Sequence, residues 1–366
     1  MEYDHMAELG FAEETQFICS DHVFLTRSNH VRDLCARFVK NGGRLYDVLS
    51  RYDTLTLYAL GRDSANAGSV NRMVVPFLKA GGITDEAAYN FCKSTTVLMP
   101  NADKVMRYIS SQMPAFISSE SYEHHLMPLG DVLGVPYANI SCNLFSFDAT
   151  KVSRPDAKAL RSIASSIINA RLTDEMYSVT QSPYLNKFDS KLVDMIDDEY
   201  TKRIAKMDFL DQLKRDVKIA GNEKAYSVLE LCRKKEIDMG STIIVGSDES
   251  DYPAMDLVRD SNGLAISFNG TEYAVRGSNV AILDENPITV AVLSMEFYNG
   301  GIESVYDMID NWNIESLRTR SCADRNLMNK FLAQFPERLP EVYKVDDDNL
   351  RDVTIKSAAY RKRILV

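Results

Sequence analysis

Four short runs of the chain are apolar without any polar alternation: "FICS" at 17–20, "AFISS" at 115–119, "TIIVG" at 242–246 and "LAISF" at 264–268, with "NVAIL" at 279–283 as a fifth. A strand with one wet face alternates apolar and polar residues. Continuous runs of this length predict strands covered on both faces, as in a parallel sheet. Between them, apolar positions recur at helical spacing in "NADKVMRYISSQM" (101–113), "YEHHLMPLGDVLG" (122–134) and "NEKAYSVLELCRKKEI" (222–237). Alternating strands and helices predict an α/β protein with a doubly wound, mostly parallel sheet.

The spacing between strands is uneven. From the first strand to the second runs a mostly helical stretch of roughly a hundred residues, against about 30 for a simple strand–helix–strand crossover. It includes "VRDLCARFVKNGGRLYDVLSRYDTLTLYAL" and "VNRMVVPFLKAGGI". Residues 29–100 are therefore expected to form a helical cap over the carboxyl edge of the sheet, with a small core of its own from Leu34, Phe38, Leu45, Val48, Leu49, Val75 and Leu78. A second helical insertion is expected at about 143–220, in "PDAKALRSIASSIINARLTDEMYSV" and "SKLVDMIDDEYTKRIAKMDFLDQLKRDV". The α/β core then comprises 1–28 and 101–310, and 311–366, ending "KSAAYRKRILV", reads as a helical appendage with no legible role.

Composition narrows the partners. A chain of 366 residues, 45% hydrophobic, can bury a sizeable core. A net charge of -10 and a pI near 5.2 argue against binding nucleic acid or an anionic membrane surface, both of which need clustered Lys and Arg. The six cysteines are scattered with no C-x-x-C pair, so neither a zinc site nor a disulfide framework is indicated and reduced thiols are expected. The start, "MEYDHMAELGFAEETQF", does not read as a signal peptide, and the most apolar stretch, "PITVAVLSMEF" (287–297), is too short to span a bilayer. A cytoplasmic protein is the expectation.

The candidate chemistry gathers where strands end, the ligand-binding side of open α/β sheets. A phosphate-ester site needs a nucleophilic carboxylate, a hydroxyl and a cation for phosphoryl oxygens, and hard oxygen ligands for magnesium. The chain offers Ser20, Asp21 and His22 after the first strand, Ser119 after the second, Lys224 at a helix start, and Ser247, Asp248 and Asp251 in "VGSDESD". The plainer reading of that last turn is a solvated cap opening a helix. His22 beside Ser20 forms a nucleophile pair only with a third orienting group, and none is identifiable. His124 and His125, adjacent on a helix, point in different directions and are not expected to ligate one metal together.

This order of stations, and the words around it, resemble the haloacid dehalogenase-like (HAD) superfamily of phosphohydrolases. More narrowly they resemble an archaeal branch, some of whose members are named as a hydrogenase-associated subunit. The resemblance runs from about residue 16 to 310 and is carried by "RSNHVRDLCARFV", "MVVPFLKAGGI", "PAFISSESYEHHL", "GNEKA" and "VGSDESDYPAMDLVRDSNGLAISFNGTEYAV". It implies a Rossmann-like sheet with a cap after the first strand, and a first motif whose leading acid attacks phosphorus while the acid two residues on protonates the leaving oxygen. Ser119 and Lys224 match the second and third motifs. An ungapped match, however, puts Ser20 at the nucleophile, His22 at the general acid and Ser247 at the leading magnesium ligand, with Asp251 kept.

Two readings follow. In one, the protein is a HAD-fold pseudoenzyme that binds a ligand or a protein partner and needs no cofactor. In the other, it is a magnesium-dependent phosphatase for a small phosphorylated molecule, with Asp21 as nucleophile and metal contact and Asp248 or Asp251 completing the metal site. The second asks for two local rearrangements, because a carboxylate displaced by one residue along a strand turns to the other face. It also lacks a second acid, since Val23 stands two beyond Asp21. Ser119 and Lys224 read equally as an anion site and as a strand-end cap and a surface charge.

Overall fold

The computed structural model describes residues 14–62, 65–173, 185–209, 213, 217, 219–319 and 324–365. Seven strands, β1 (Gln16–Cys19), β2 (Ala115–Tyr122), β3 (Ile140–Asn143), β4 (Thr242–Gly246), β5 (Leu264–Phe268), β6 (Val280–Leu283) and β7 (Glu341–Lys344), form one sheet in the order β3-β2-β1-β4-β5-β6-β7. Neighbours pair in parallel except β7, which runs antiparallel to β6. Every residue of β1, β4, β5 and β6 is buried, as their unbroken apolar sequences require. Helices α5 (Ala102–Gln112), α6 (Glu123–Leu133) and α12 (Ile288–Asp310) cover one face, where Phe17, Cys19, Val245 and Ile266 point. Helices α9 (Gly221–Lys235) and α10 (Tyr252–Asp260) cover the other, over Ile18, Phe116, Ile244 and Ala265. The chain is thus an α/β protein with a doubly wound, Rossmann-like sheet.

The inserted helices include α1 (His30–Phe38), α2 (Gly42–Thr54), α3 (Val70–Ala80) and α4 (Asp85–Thr95) from the first insertion, and α7 (Arg154–Ile168) and α8 (Lys187–Asp198) from the second. Their starts follow capping chemistry: the Asn29 side chain accepts from Arg32 N–H, Thr84 from Ala87 N–H and Ser153 from Asp156 N–H. Leu34, Leu45, Val48, Leu49, Val75 and Leu78 are buried as expected, while Phe38 is only partly so. Their core is not their own, however. Leu160, Ile163, Ile167, Leu192 and Ile196 of the second insertion belong to the same apolar cluster, so the two insertions close one core between them. Arg51 on α2 donates to the fully buried Asp189 of α8 at 2.7 Å and ties the halves.

The last residues are built into the core rather than appended. β7 closes the sheet edge, Leu327, Met328 and Phe331 of α14 (Arg325–Gln334) join the main apolar cluster, and Ser357 on α15 (Leu350–Ile364) donates to the Gly270 carbonyl at 2.7 Å. No helix among the described residues is long and apolar enough to cross a membrane. The cysteines Cys19, Cys35, Cys92, Cys142 and Cys232 are buried free thiols. Cys322, the N-terminal segment 1–13, residues 174–184 of the second insertion and most of "LDQLKRDVK" (210–218) lie outside the described residues.

Candidate functional site

A cavity of about 260 Å³ lies between the inserted helices and the carboxyl edge of the sheet. Its floor is made by Asp21 and His22 after β1, Glu120 and Ser121 at the end of β2, and Asp248 and Glu249 after β4. Asp53 and Gly68 of the first insertion line it from above, and Arg361 of α15 from the side. The first insertion therefore covers the edge where it was expected.

Asp21 owes its position to a tight turn. The β1 ladder ends with Ser20 N–H on Val245 O (3.0 Å), and the Asp21 carbonyl then accepts from Leu25 and Thr26 N–H at 2.9 and 3.0 Å. Val23, inside the turn, has φ 67°, a region unfavourable for a β-branched residue. Tertiary packing holds it there: the next residue, Phe24, lies 6.1 Å from the Phe17 ring and 5.6 Å from that of Phe268. Strand alternation puts Asp21 on the side of Phe17 and Cys19, towards α6. Its Oδ1 accepts from Ser119 Oγ at 2.5 Å and from Ser121 Oγ at 3.1 Å, and its Oδ2 lies 3.2 Å from His125 Nε2. Burial opposes the charged carboxylate, but His125, His30 and Ser119 outweigh it and hold the carboxyl well below its usual range.

The other acids have separate partners. Lys224, expected at the surface under the plainer reading, is buried and donates to Asp251 Oδ1 at 2.5 Å, Glu120 Oε2 at 2.7 Å and Ser250 Oγ at 3.2 Å. Burial would lower its pKa; the charges of Asp251 and Glu120 raise it instead. Asp251 spends its Oδ2 on the backbone N–H groups of Ser247 (2.7 Å) and Asp248 (2.9 Å). Asp248 Oδ2 lies 2.8 Å from His22 Nδ1, and its Oδ1 accepts from Arg361. Against its burial, Arg361 and then His22 hold that carboxyl far down. Ser247 Oγ donates to the His22 carbonyl at 2.6 Å.

The structure therefore splits the sequence-predicted set. Asp21 and Ser119 meet; Lys224 and Asp251 meet; His22, Ser247 and Asp248 meet. Asp21 is drawn to α6 and Asp248 to α15, so each carboxylate is committed to partners of its own. Ser20 is buried with an unpartnered hydroxyl and does not line the cavity. His124 and His125 diverge as adjacent helical residues should, His124 to Asp85 at 2.9 Å and His125 to Asp21. Sequence reasoning missed His30, Glu120, Ser121 and Arg361. Ser121 had a signal, two residues beyond Ser119 on the same strand face, whereas Arg361 lies 113 positions from its partner Asp248, with no local pattern to reveal it.

No protein-family model and no curated protein matches the chain. Among solved structures, gene product AF1437 from Archaeoglobus fulgidus is similar, with a TM-score of 0.75 and 21% identity over 96% of this chain and 97% of that one. At that identity the likeness is one of fold.

Proposed function

We propose that the chain is a HAD-like protein without aspartyl-phosphate chemistry, which binds a small polar molecule in the sheet-edge cavity. The resemblance rests on the motif order, and the central β1 with helices inserted before β2 is the arrangement it implies. The observation that carries the reading is the state of the acids: Asp248 and Asp251 each have both carboxylate oxygens engaged by neighbouring side chains or backbone N–H groups, and Asp21 has its Oδ1 on Ser119 and Ser121. Magnesium takes hard oxygens in a near-octahedral shell and needs carboxylate lone pairs left free for it. With Ser20 off the cavity, Ser247 turned to a carbonyl and Asp248 clamped by Arg361, these residues do not suit that ion.

The cavity also discourages a phosphate ester. Asp21, Glu120, Asp248 and Glu249 border it, against the guanidinium of Arg361 and the two imidazoles His22 and His30. A phosphate dianion would meet more like charge than unlike, so a neutral or cationic polar ligand fits better.

A second reading keeps one observation in its favour: an ionised Asp21 at the cavity wall, beside Ser119. In that case the protein is a phosphatase with Asp21 as nucleophile. The two are separated by assaying a panel of phosphomonoesters with magnesium. The binding-protein reading expects no hydrolysis above the uncatalysed control, while turnover abolished by Asp21→Asn overturns it.

A further inference from the structure

We propose that Asp21, His30 and His125 form a binding site for a divalent transition ion of the zinc type, with an open coordination position facing the cavity. The three side chains come from three separate elements, the turn after β1, the first residue of α1 and the first turn of α6, and all are buried. One carboxylate oxygen and one nitrogen from each ring lie within 4.8 Å of one another. Among the described residues, this is the group of three His, Cys, Asp or Glu side chains so placed.

The contacts around the group suit a cation. Thr96 Oγ1 donates its proton to the Cys92 carbonyl at 2.7 Å, so towards His125 Nδ1, 3.3 Å away, it can only accept. His125 Nε2 faces Asp21 Oδ2 at 3.2 Å. That contact lacks the alignment of a hydrogen bond, and Nε2 has no partner for one. Tetrahedral ligands at 2.0–2.1 Å from zinc are separated by about 3.3 Å, close to what is seen. An imidazole whose other nitrogen is fixed by a neighbouring oxygen is the usual form of a metal-ligating histidine.

His30 completes the set. Its ring lies on that of His125 with centroids 4.1 Å apart and planes within 3°, and one nitrogen of each ring is within 4.8 Å of the other and of the Asp21 carboxylate. The hydrogen bond found for it, from Tyr122 N–H to Nε2 at 3.4 Å, is at the far end of the usual range, so a modest rotation of the ring would bring a nitrogen to the ion. Asp21 and His30 line the cavity and His125 does not, which leaves the fourth position on the cavity side. Two imidazoles and one carboxylate select a borderline ion such as Zn²⁺, Co²⁺ or Fe²⁺ over Mg²⁺ or Ca²⁺. The site stands whichever molecule fills the cavity, because none of its ligands depends on that molecule. A proton on both nitrogens of His125 satisfies the same contact with Asp21, and the experiment separates the two.

Protein stripped with a chelator is titrated with Co²⁺ in excess Mg²⁺, followed by its visible absorption, and Zn²⁺ is then added. One equivalent of Co²⁺ giving ligand-field bands that Zn²⁺ abolishes is expected. His30→Asn and His125→Gln, checked for native circular dichroism, should each weaken uptake at least tenfold, and His124→Gln should not. Because a substitution at the fully buried His125 can prevent folding, X-ray absorption of the unaltered zinc-loaded protein provides the second measurement, with two imidazole nitrogens in the first shell expected. Absence of stoichiometric uptake, a first shell without two imidazoles, or a folded His30→Asn protein that binds Co²⁺ as before overturns the site.

Discussion

Asp53 shows how a single buried carboxyl couples the cavity to pH. Its Oδ2 accepts from the N–H of Gly68 at 2.9 Å and of Val70 at 3.4 Å, and Gly68 takes φ 87° there, which glycine adopts without strain. Burial nevertheless dominates and, with the charge of Glu249 adding to it, pushes the Asp53 pKa up to about 7. The folded state thus holds this proton more tightly than the unfolded chain does, where the pKa is about 3.9. The associated stability is fully present below about pH 4 and is lost as pH rises through 7. Between pH 5 and 8 the loss is on the order of 2–3 kcal/mol at 1.36 kcal/mol per pH unit. Asp53→Asn keeps an acceptor for both N–H groups and removes the ionisation, so its melting temperature should fall less steeply across that range than the parent's, with the buried Asp284, its pKa raised to about 6, still contributing a slope in both. Equal slopes for the two proteins would show that Asp53 is ionised throughout. Asp53 drew no attention in the sequence because its setting depends on residues 15 and 17 positions away meeting it in a covered place. Asp21 did, because it ends an apolar strand.

Elements were legible to the extent that they are buried on both faces. The runs predicting β1, β2, β4, β5 and β6 coincide with those strands to within a few residues at their ends. The strands β3 and β7 escaped because they are edges: "ISCN" is half exposed at Ile140 and Ser141, and all four residues of "EVYK" are partly exposed, so neither carries a continuous apolar signature. The contribution of α15 was hidden for a different reason, since its link to the site is a single long side chain. Arg361 Nη1 donates to the carbonyls of Ser247 (3.0 Å) and Asn269 (3.2 Å) while the other Nη holds Asp248. Arg361→Gln removes the charge and leaves Asp248 to His22, which should cost about 2–3 kcal/mol, the scale of losing hydrogen bonds to a charged group. Hydrogen exchange should then report amides of 350–364 opening well before those of β4 and β5. If exchange in α15 is unaltered, its packing against Gly270 anchors it without the arginine.

On the scale of the molecule, the shared core of the two insertions predicts shared unfolding. Ile163 on α7 is fully buried in the apolar cluster that includes residues of α2, α3 and α8. Ile163→Ala should cost about 2–5 kcal/mol and lower exchange protection in α1 to α3 together with α7, while the sheet keeps its own. Loosening confined to α7 would mean that the insertions are independent. That partition could not be read from the chain, because periodicity shows which face of a helix is apolar but not which helix covers it. The reach of Arg361 has a further consequence in time. Synthesis proceeds from the N-terminus at about 5–20 residues per second, so the 113 residues between Asp248 and Arg361 take roughly 6–23 seconds to make. Through that interval the nascent chain carries β1, β4 and both insertions with the Asp248 carboxylate facing only His22, and the cavity acquires its guanidinium only afterwards.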